Sequence, residues 1–237
     1  RIVLTSALAA AHVLLLVMSK DLGAALIFFV TYLVMLYVAS RQPFYFLGGL
    51  LAGSAAAWVA WKLFAHVQTR VLAWSDPFSV IDKEGYQIAQ SLFAIGTGGW
   101  FGLGINQGMP YKIPVVEQDF IFSAIAEEMG ILFALLLIFI YLSSFYMILN
   151  IAIVLKDSYY KLVAVGLGTL MIFQVFLSIG GVTKFIPSTG VTLPFVSYGG
   201  SSLLSTLIMF AIIQGLYILR EDEEEDIERR KKERLRA

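Results

Sequence analysis

An aspartate at the edge of a long apolar run is the strongest indication of chemistry in this sequence. Asp119 follows a polar stretch, with Glu117 just before it and Glu127 and Glu128 about two turns later. A charge so close to a membrane-length apolar run is costly and tends to mark a substrate or ion site. Aspartate is also a favoured helix N-cap. At this point both readings stay open, a catalytic acid and a helix cap.

The spacing of these acids favours one carboxylate acting alone. If a helix begins near residue 119, then Asp119, Ser123 and Glu127 fall near one face of it. Eight residues at about 1.5 Å each separate the two carboxylates by roughly 12 Å, which is too far to share a proton. A single acid that acts as a base is therefore the more natural prediction.

Composition limits the other chemistry available to the chain. It contains no cysteine and two histidines, which excludes a thiolate nucleophile, a thiolate-bound metal and a histidine cluster. The glycines of residues 96–104 do not fit a dinucleotide-binding motif in any register. They predict either a flexible backbone or a nest of amides that could hold a phosphate. The cations that could neutralise such an anion, or simply anchor the chain at an interface, are Lys112, Arg70, Lys83 and Lys184.

The elements that must position these residues are membrane helices. The chain is 59% hydrophobic and 14% charged, against roughly 25% charged residues in soluble domains. We predict an all-α polytopic membrane protein, with no nucleic-acid partner because no basic stripe occurs outside the C-terminal tail. Six apolar segments are long enough to span a bilayer: residues 2–18, 22–39, 44–64, 131–155, 162–182 and 203–219.

Short-loop basic residues predict the orientation of these spans, because Lys and Arg accumulate on the cytoplasmic side. Arg1, Arg41, Lys156, Lys161 and the basic tail can share that side if the number of spans is even. The C-terminus is then cytoplasmic and Asp119 faces outward. The predicted order is three transmembrane helices (1–65), an extracytoplasmic loop (66–120), three more helices (121–219) with an outer loop at 183–201, and a charged cytoplasmic tail (220–237).

Three local features follow from this order. Residues 85–101 have apolar side chains at roughly helical spacing, which predicts a short interfacial helix in the first outer loop. The second outer loop alternates apolar residues with prolines and glycines, which predicts a re-entrant-like segment lining a cavity. Ser201 or Ser202 is expected to cap the last helix. Acid–base pairs at i, i+4 predict a solvated helix in the tail: Glu225–Arg229, Asp226–Arg230 and Glu228–Lys232.

The motifs of the two outer loops carry a family resemblance. The run from Gly85 to Gly104, then Asp119-Phe-Ile-Phe-Ser-Ala-Ile-Ala-Glu-Glu-Met-Gly130, then Thr189 to Ser202, resembles the SEDS family of bacterial cell-wall proteins (FtsW, RodA, SpoVE). Asp21-Leu-Gly-Ala-Ala25 resembles a further signature. Members have about ten spans, so the chain resembles the C-terminal six. It also opens on Arg1 without an initiator Met, and we expect a fragment. Glu117-Gln118 replaces the usual His-Thr, and Thr192 stands where many members have Pro.

This resemblance implies an activity, partners and a site. Members polymerise glycan strands from lipid II at the outer face of the bacterial cytoplasmic membrane, usually with a class B penicillin-binding protein. Asp119 matches the essential aspartate and would act as the base of an inverting glycosyl transfer. Lys, Arg or a divalent cation (Mg²⁺ or Mn²⁺, assigned to no residue) would stabilise the pyrophosphate. The residues we assign to substrate binding are Glu117, Lys112, Lys184, Gly98, Gly99, Ser197, Tyr198, Gly199, Gly200 and Ser201.

Two other functions stay open on the sequence. A lipid II flippase would also suit several spans with broken backbone near a binding site. Such a protein should line a path through its helices with polar groups, whereas the spans offer little beyond Gln174, His12 and a few hydroxyls. A non-catalytic membrane scaffold of a wall-synthesis complex is the third reading, in which Asp119 is merely a helix cap.

Overall fold

A computed structural model describes residues 2–236, apart from the side chains of residues 226–228 and 230–236. Within that range the chain is helical, with no strand. The helices are α1 (Ile2–Met18), α2 (Leu22–Ser40), α3 (Pro43–Leu63), α4 (Ala65–Ser75), α5 (Tyr86–Gly98), a 3₁₀ turn (Pro110–Lys112), α6 (Ile121–Val154), α7 (Ser158–Val182) and α8 (Gly200–Arg236).

All six predicted apolar segments lie in helices to within one residue at their ends, which confirms an all-α polytopic membrane protein. Five helices are long and apolar enough to cross a membrane, namely α2, α3, α6, α7 and the first part of α8. The sixth, α1, has 17 residues and rises about 26 Å at 1.5 Å per residue, slightly less than a hydrocarbon core of about 30 Å. Many large apolar side chains on these helices are exposed, as expected for surfaces that contact lipid.

The glycine-rich segment after α5 packs against a break in α6, where an added side chain would not fit. Gly130 has φ 83° and ψ 170°, so it is not helical and divides α6 in two. The amides on the far side of the break pair with the segment that follows α5, Ile131 N–H with Gly99 O at 2.9 Å and Leu132 N–H with Trp100 O at 3.3 Å. A Cβ at Gly130 would overlap that backbone. The membrane-length part of α6 thus begins at Ile131, as predicted.

The long connection between α3 and α6 holds two helices. α5 lies inside the predicted segment 85–101. α4 (Ala65–Ser75) was not predicted, because its eleven residues mix polar and apolar side chains. A buried hydroxyl node joins α5 to its neighbours: Ser91 Oγ donates to Val182 O at 2.7 Å and lies 2.6 Å from Ser123 Oγ. This node fixes the start of α6 against α5 and the end of α7.

The second loop, residues 183–199, descends into the helical bundle, which confirms its re-entrant-like character. Tyr141, ten residues into the span that begins at Ile131, donates its hydroxyl to Pro194 O at 2.5 Å, about 15 Å along the helix. Gln174, eight residues before the end of α7, donates to Thr192 O at 2.9 Å. The irregular backbone at this depth is enclosed by protein, where its polar groups find partners.

The last helix begins two residues earlier than a cap at Ser201 requires, and three earlier than a cap at Ser202 requires. Leu203 N–H donates to Gly199 O at 2.9 Å, so Gly199 stands at the cap position and α8 starts at Gly200. The prediction that Ser201 or Ser202 caps this helix is wrong, because both lie within its first turn. In the tail, Arg229 and Glu225 pair at 3.4 Å as predicted. The other two predicted pairs fall on side chains outside the described residues.

Candidate active site

Asp119 does not cap α6. The N-cap position is held by Phe120, which has non-helical dihedrals and forms no side-chain cap bond. The Phe120 ring is 1% exposed, so its burial delays the helix until Ile121. The carboxylate of Asp119 is instead partly buried beside the second loop. Helix α6 thus begins at Ile121, near the predicted start at residue 119, and the side chain of Asp119 is left for another role.

The second loop forms one wall beside the Asp119 carboxylate. A Cβ built on Gly190 would lie 3.8 Å from Asp119 Oδ2, and Gly190 has a left-handed φ of 72°. The two loops are also tied where Tyr198 N–H donates to Glu117 O at 2.7 Å. The family signature near Asp21 approaches the same wall, because Gly23 packs against Thr189 and Val191. Segments that are distant in sequence thus meet around one acid.

Helix α4 holds this wall in place. Arg70 donates from Nη1 to Thr189 O at 3.1 Å and to Ser188 O at 3.4 Å. One turn further along, Trp74 donates its indole N–H to Lys184 O at 3.1 Å. Both side chains project from the same face of α4, because residues four apart lie one above the other. Arg70, considered at first as one of several outer cations, is therefore part of the site.

The surroundings of Asp119 suit a base. Partial burial raises the pKa of Asp119 above its ordinary value of 3.8, because removal from water disfavours the charged form. Its own amide and the positive charge of Arg70 lower the pKa, but by less. A carboxylate with a raised pKa binds a proton more readily, which is the property that general base catalysis requires.

The two later glutamates have a structural role. Glu127 is 6% exposed and accepts from Met109 N–H at 3.1 Å, while Glu128 accepts from Asn106 N–H at 3.2 Å. Together they hold the segment before the 3₁₀ turn. Ser123 belongs to the buried hydroxyl node, so the predicted face of Asp119, Ser123 and Glu127 does not act as one site.

Three amides of the predicted phosphate nest already have backbone partners. Gly102 N–H donates to Gly98 O, and the amides of Leu103 and Gly104 donate to the carbonyls of residues 127 and 128. A Cβ on Gly98 would overlap the backbone at Ala126, and Gly99 has a φ of 55°. These contacts give Gly98 and Gly99 a structural role beside the break in α6. Their assignment to substrate binding stays a prediction.

The remaining predicted binding residues are spread over the two loops. Ser197 Oγ accepts from Leu193 N–H at 2.7 Å and closes a turn. The Tyr198 side chain is 75% exposed. Lys112 is exposed on the 3₁₀ turn, and Lys184 follows α7 with a φ of 60°. Together with Glu117, Gly199, Gly200 and Ser201, these residues keep their assignment as predictions.

The described residues do not form a ready-made metal site. No three His, Cys, Asp or Glu side chains among them lie together in an arrangement that could hold an ion. Mg²⁺ is often bound by one or two carboxylates together with substrate phosphates, a mode that needs no such cluster. We assign no residue to a cation.

Comparison with known proteins gives the same relatives along most of the chain. A family model named for FtsW, RodA and SpoVE, and described as a cell cycle protein, matches residues 1–221. The chain is 42% identical over 198 residues to the peptidoglycan glycosyltransferase RodA of Mycobacterium tuberculosis (strain ATCC 25618 / H37Rv), covering 84% of this chain and 42% of that protein. It is 36% identical over 205 residues to the stage V sporulation protein E of Bacillus subtilis (strain 168), covering 84% and 54%.

The structure has a solved relative as well. A chain from "Structural coordination of polymerization and crosslinking by a peptidoglycan synthase complex" matches with a TM-score of 0.76 and 28% identity, over 91% of this chain and 61% of that one. The chain spans about half the length of the curated relatives it matches. With the family model, the curated relatives and the fold in agreement, this chain belongs to the FtsW/RodA/SpoVE family.

Proposed function

We propose that the protein containing this chain is a peptidoglycan glycosyltransferase that polymerises lipid II into glycan strands by inverting transfer. The RodA relative, which is named a peptidoglycan glycosyltransferase, supports this activity. The observation that carries the proposal is the state of Asp119. Its carboxylate is partly buried, does not cap its helix, and lies against the second loop at Gly190.

Inverting glycosyl transfer requires one general base, and Asp119 is the residue that we assign to this role. A hydroxyl of the acceptor sugar attacks the anomeric carbon of the donor on the face opposite the lipid carrier. The new carbon–oxygen bond forms as the bond to the carrier diphosphate breaks, and the diphosphate leaves with the electron pair. Asp119 takes the hydroxyl proton. The diphosphate leaves without protonation once its charge is balanced, so a second acid is unnecessary.

The proposed site is at the outer face of the cytoplasmic membrane. Asp119 lies eleven residues before Gly130, where the membrane-length part of α6 begins, and a lipid-linked sugar emerges from the bilayer at such a boundary. The orientation rests on the distribution of Lys and Arg in short loops. It places the long connection outside and the C-terminus in the cytoplasm, with six spans between the two ends of the chain.

A class B penicillin-binding protein is the proposed partner. The solved relative belongs to a peptidoglycan synthase complex that coordinates polymerization and crosslinking. Crosslinking joins the strands that a polymerase produces, so the two activities need to act on the same product.

The alternative functions predict different products. The polar span residue Gln174 is occupied by the carbonyl of Thr192, and His12 Nδ1 lies 3.0 Å from Leu8 O in its own helix. Neither contact favours a polar path for a flippase.

A polymerisation assay in detergent separates the alternatives. A detergent micelle encloses no second compartment, so this assay detects polymerisation and cannot detect translocation. Purified full-length protein with lipid II in detergent, alone and with its partner, should give glycan polymer. Absence of polymer in both would leave the flippase or scaffold reading.

A further inference from the structure

Arg70 has hydrogen-bonding capacity that the fold does not use. A guanidinium carries five N–H donors in a fixed fork, and the described bonds of Arg70 all come from Nη1. The ion pairs found among the described side chains are Arg220–Glu224 and Arg229–Glu225. Arg70 is therefore a half-buried cation that is anchored on one nitrogen and forms no ion pair with any carboxylate that the structure describes.

A second unused polar group lies on the segment that Arg70 holds. Thr189 Oγ1 is buried and has no hydrogen-bond partner among the described residues, while the carbonyl of the same residue accepts from Arg70. A buried hydroxyl without a partner is unfavourable, so each such group calls for an explanation. The next residue, Gly190, is the one that lies against Asp119. The two unused groups thus border the proposed base.

We propose that Arg70 and Thr189 bind the diphosphate of the lipid carrier beside Asp119. This inference rests on the proposed function, because it assigns the leaving group of that reaction to a place in the site. The guanidinium fork matches phosphate oxygens in a bidentate manner, and the threonine hydroxyl can donate to a further oxygen. The charge of Arg70 then balances the charge that develops on the diphosphate as it departs.

The other candidate cations are less well placed by the structure. Lys112 is exposed on a surface turn. Lys184 is held through its carbonyl by Trp74, nearer the end of α7. Arg70, by contrast, acts on Asp119 through its charge and lowers the pKa of that carboxyl. A diphosphate bound to Arg70 offsets this effect, so the arrangement makes Asp119 a stronger base when donor is present.

Binding of short carrier analogues to the full-length protein tests this assignment without requiring turnover. The probes are farnesyl diphosphate, farnesyl monophosphate and farnesol, titrated against protein in nanodiscs. Arg70→Met should weaken diphosphate binding by about ten-fold or more, the scale of hydrogen bonds to charged groups. Arg70→Lys should give a smaller loss, because it keeps the charge and loses the fork. Farnesol binding should be unchanged in both variants.

Thr189→Val is the second variant, because it removes the hydroxyl and leaves the carbonyl that Arg70 binds. It should weaken diphosphate binding about three- to ten-fold. Thr183→Val is the matched control, since the Thr183 hydroxyl already donates to Ile179 O at 2.8 Å. Lys62→Met is the control for charge, because Lys62 is an exposed cation in the last turn of α3 with no assigned role in the site. Both should stay within about two-fold of wild type.

Several results would overturn the assignment. One is diphosphate affinity within two-fold of wild type in Thr189→Val; others are an equal loss in Thr183→Val or a parallel loss of farnesol binding. If Arg70→Met does not fold, the Thr189→Val result decides. Asp119→Asn should retain diphosphate binding. A wild-type protein that binds the diphosphate through these residues and forms no polymer would refute the proposed function and leave this site standing.

Discussion

Removal of the Ser91 hydroxyl should destabilise the protein far more than an ordinary serine substitution in a helix. Ser91 Oγ donates to Val182 O and accepts from Ser123 Oγ, and both serines are fully buried. Ser91→Ala therefore leaves two buried polar groups without partners. Ser123→Ala removes a single bond, and Ser91 keeps its bond to the Val182 carbonyl.

The size of the effect follows from these contacts. A buried polar group left unsatisfied costs about 1–3 kcal/mol, and alanine recovers up to about 0.5 kcal/mol of helix propensity. We expect Ser91→Ala to lower the free energy of unfolding by about 2–4 kcal/mol and Ser123→Ala by about 1–2 kcal/mol. The double variant should cost about 0.5–1.5 kcal/mol less than the sum, because the two residues share a bond.

Reversible unfolding in one fixed detergent measures these differences. Ser144→Ala is the matched control, because the Ser144 hydroxyl is exposed and bonds to Ile140 O in its own helix. That variant should remain within about 0.5 kcal/mol of wild type. The account of the node would be refuted if Ser91→Ala were no more destabilising than Ser144→Ala, or if the two node serines behaved additively.

Two further predictions concern the acid and the break in α6. Burial raises the pKa of Asp119, and the base must be ionised, so kcat/KM should fall with decreasing pH at a higher pH than for an ordinary aspartate. Arg70→Gln removes the cation that favours ionisation of Asp119, so the fall in kcat/KM should begin at a higher pH than in wild type. Arg70→Lys keeps the charge and should leave that pH unchanged. A pH–rate series in which Arg70→Gln matches wild type would contradict this. Gly130→Ala should lower the free energy of unfolding by several kcal/mol, because Gly130 has a positive φ and an added Cβ would overlap adjacent backbone. At Gly48 an added Cβ would meet no described atom within 4 Å outside its own helix. Gly48→Ala should therefore be neutral or mildly stabilising in a thermal-unfolding assay.

The transmembrane spans and the principal acid could be predicted from the sequence. Apolar length alone locates membrane helices, and the cost of placing a charge beside such a segment draws attention to Asp119. The re-entrant-like second loop also followed from its prolines and glycines. Each of these inferences depends on a local pattern of residues in the sequence.

The walls of the site could not be predicted in this way. Helix α4 is held by bonds from Arg70 and Trp74 to a loop more than a hundred residues away, and no local pattern encodes such contacts. The glycines after α5 left open a flexible backbone or a nest of amides, yet the amides of Leu103 and Gly104 pair with the carbonyls of Glu127 and Glu128 just before the break in α6. The start of α6 depends on the burial of Phe120, which is a property of the packed core.

The rate of lipid II polymerisation by Asp119→Asn, in the full-length protein with its partner, tests the central claim most directly. Asp82→Asn is the matched control, the same substitution at an exposed carboxyl in the same connection. General base catalysis contributes about 10²- to 10⁴-fold, so Asp119→Asn should lose at least about a hundred-fold in rate at an unchanged melting temperature, while Asp82→Asn keeps wild-type activity. Polymer formed by Asp119→Asn at a rate near that of the control would contradict the role of Asp119 as the base.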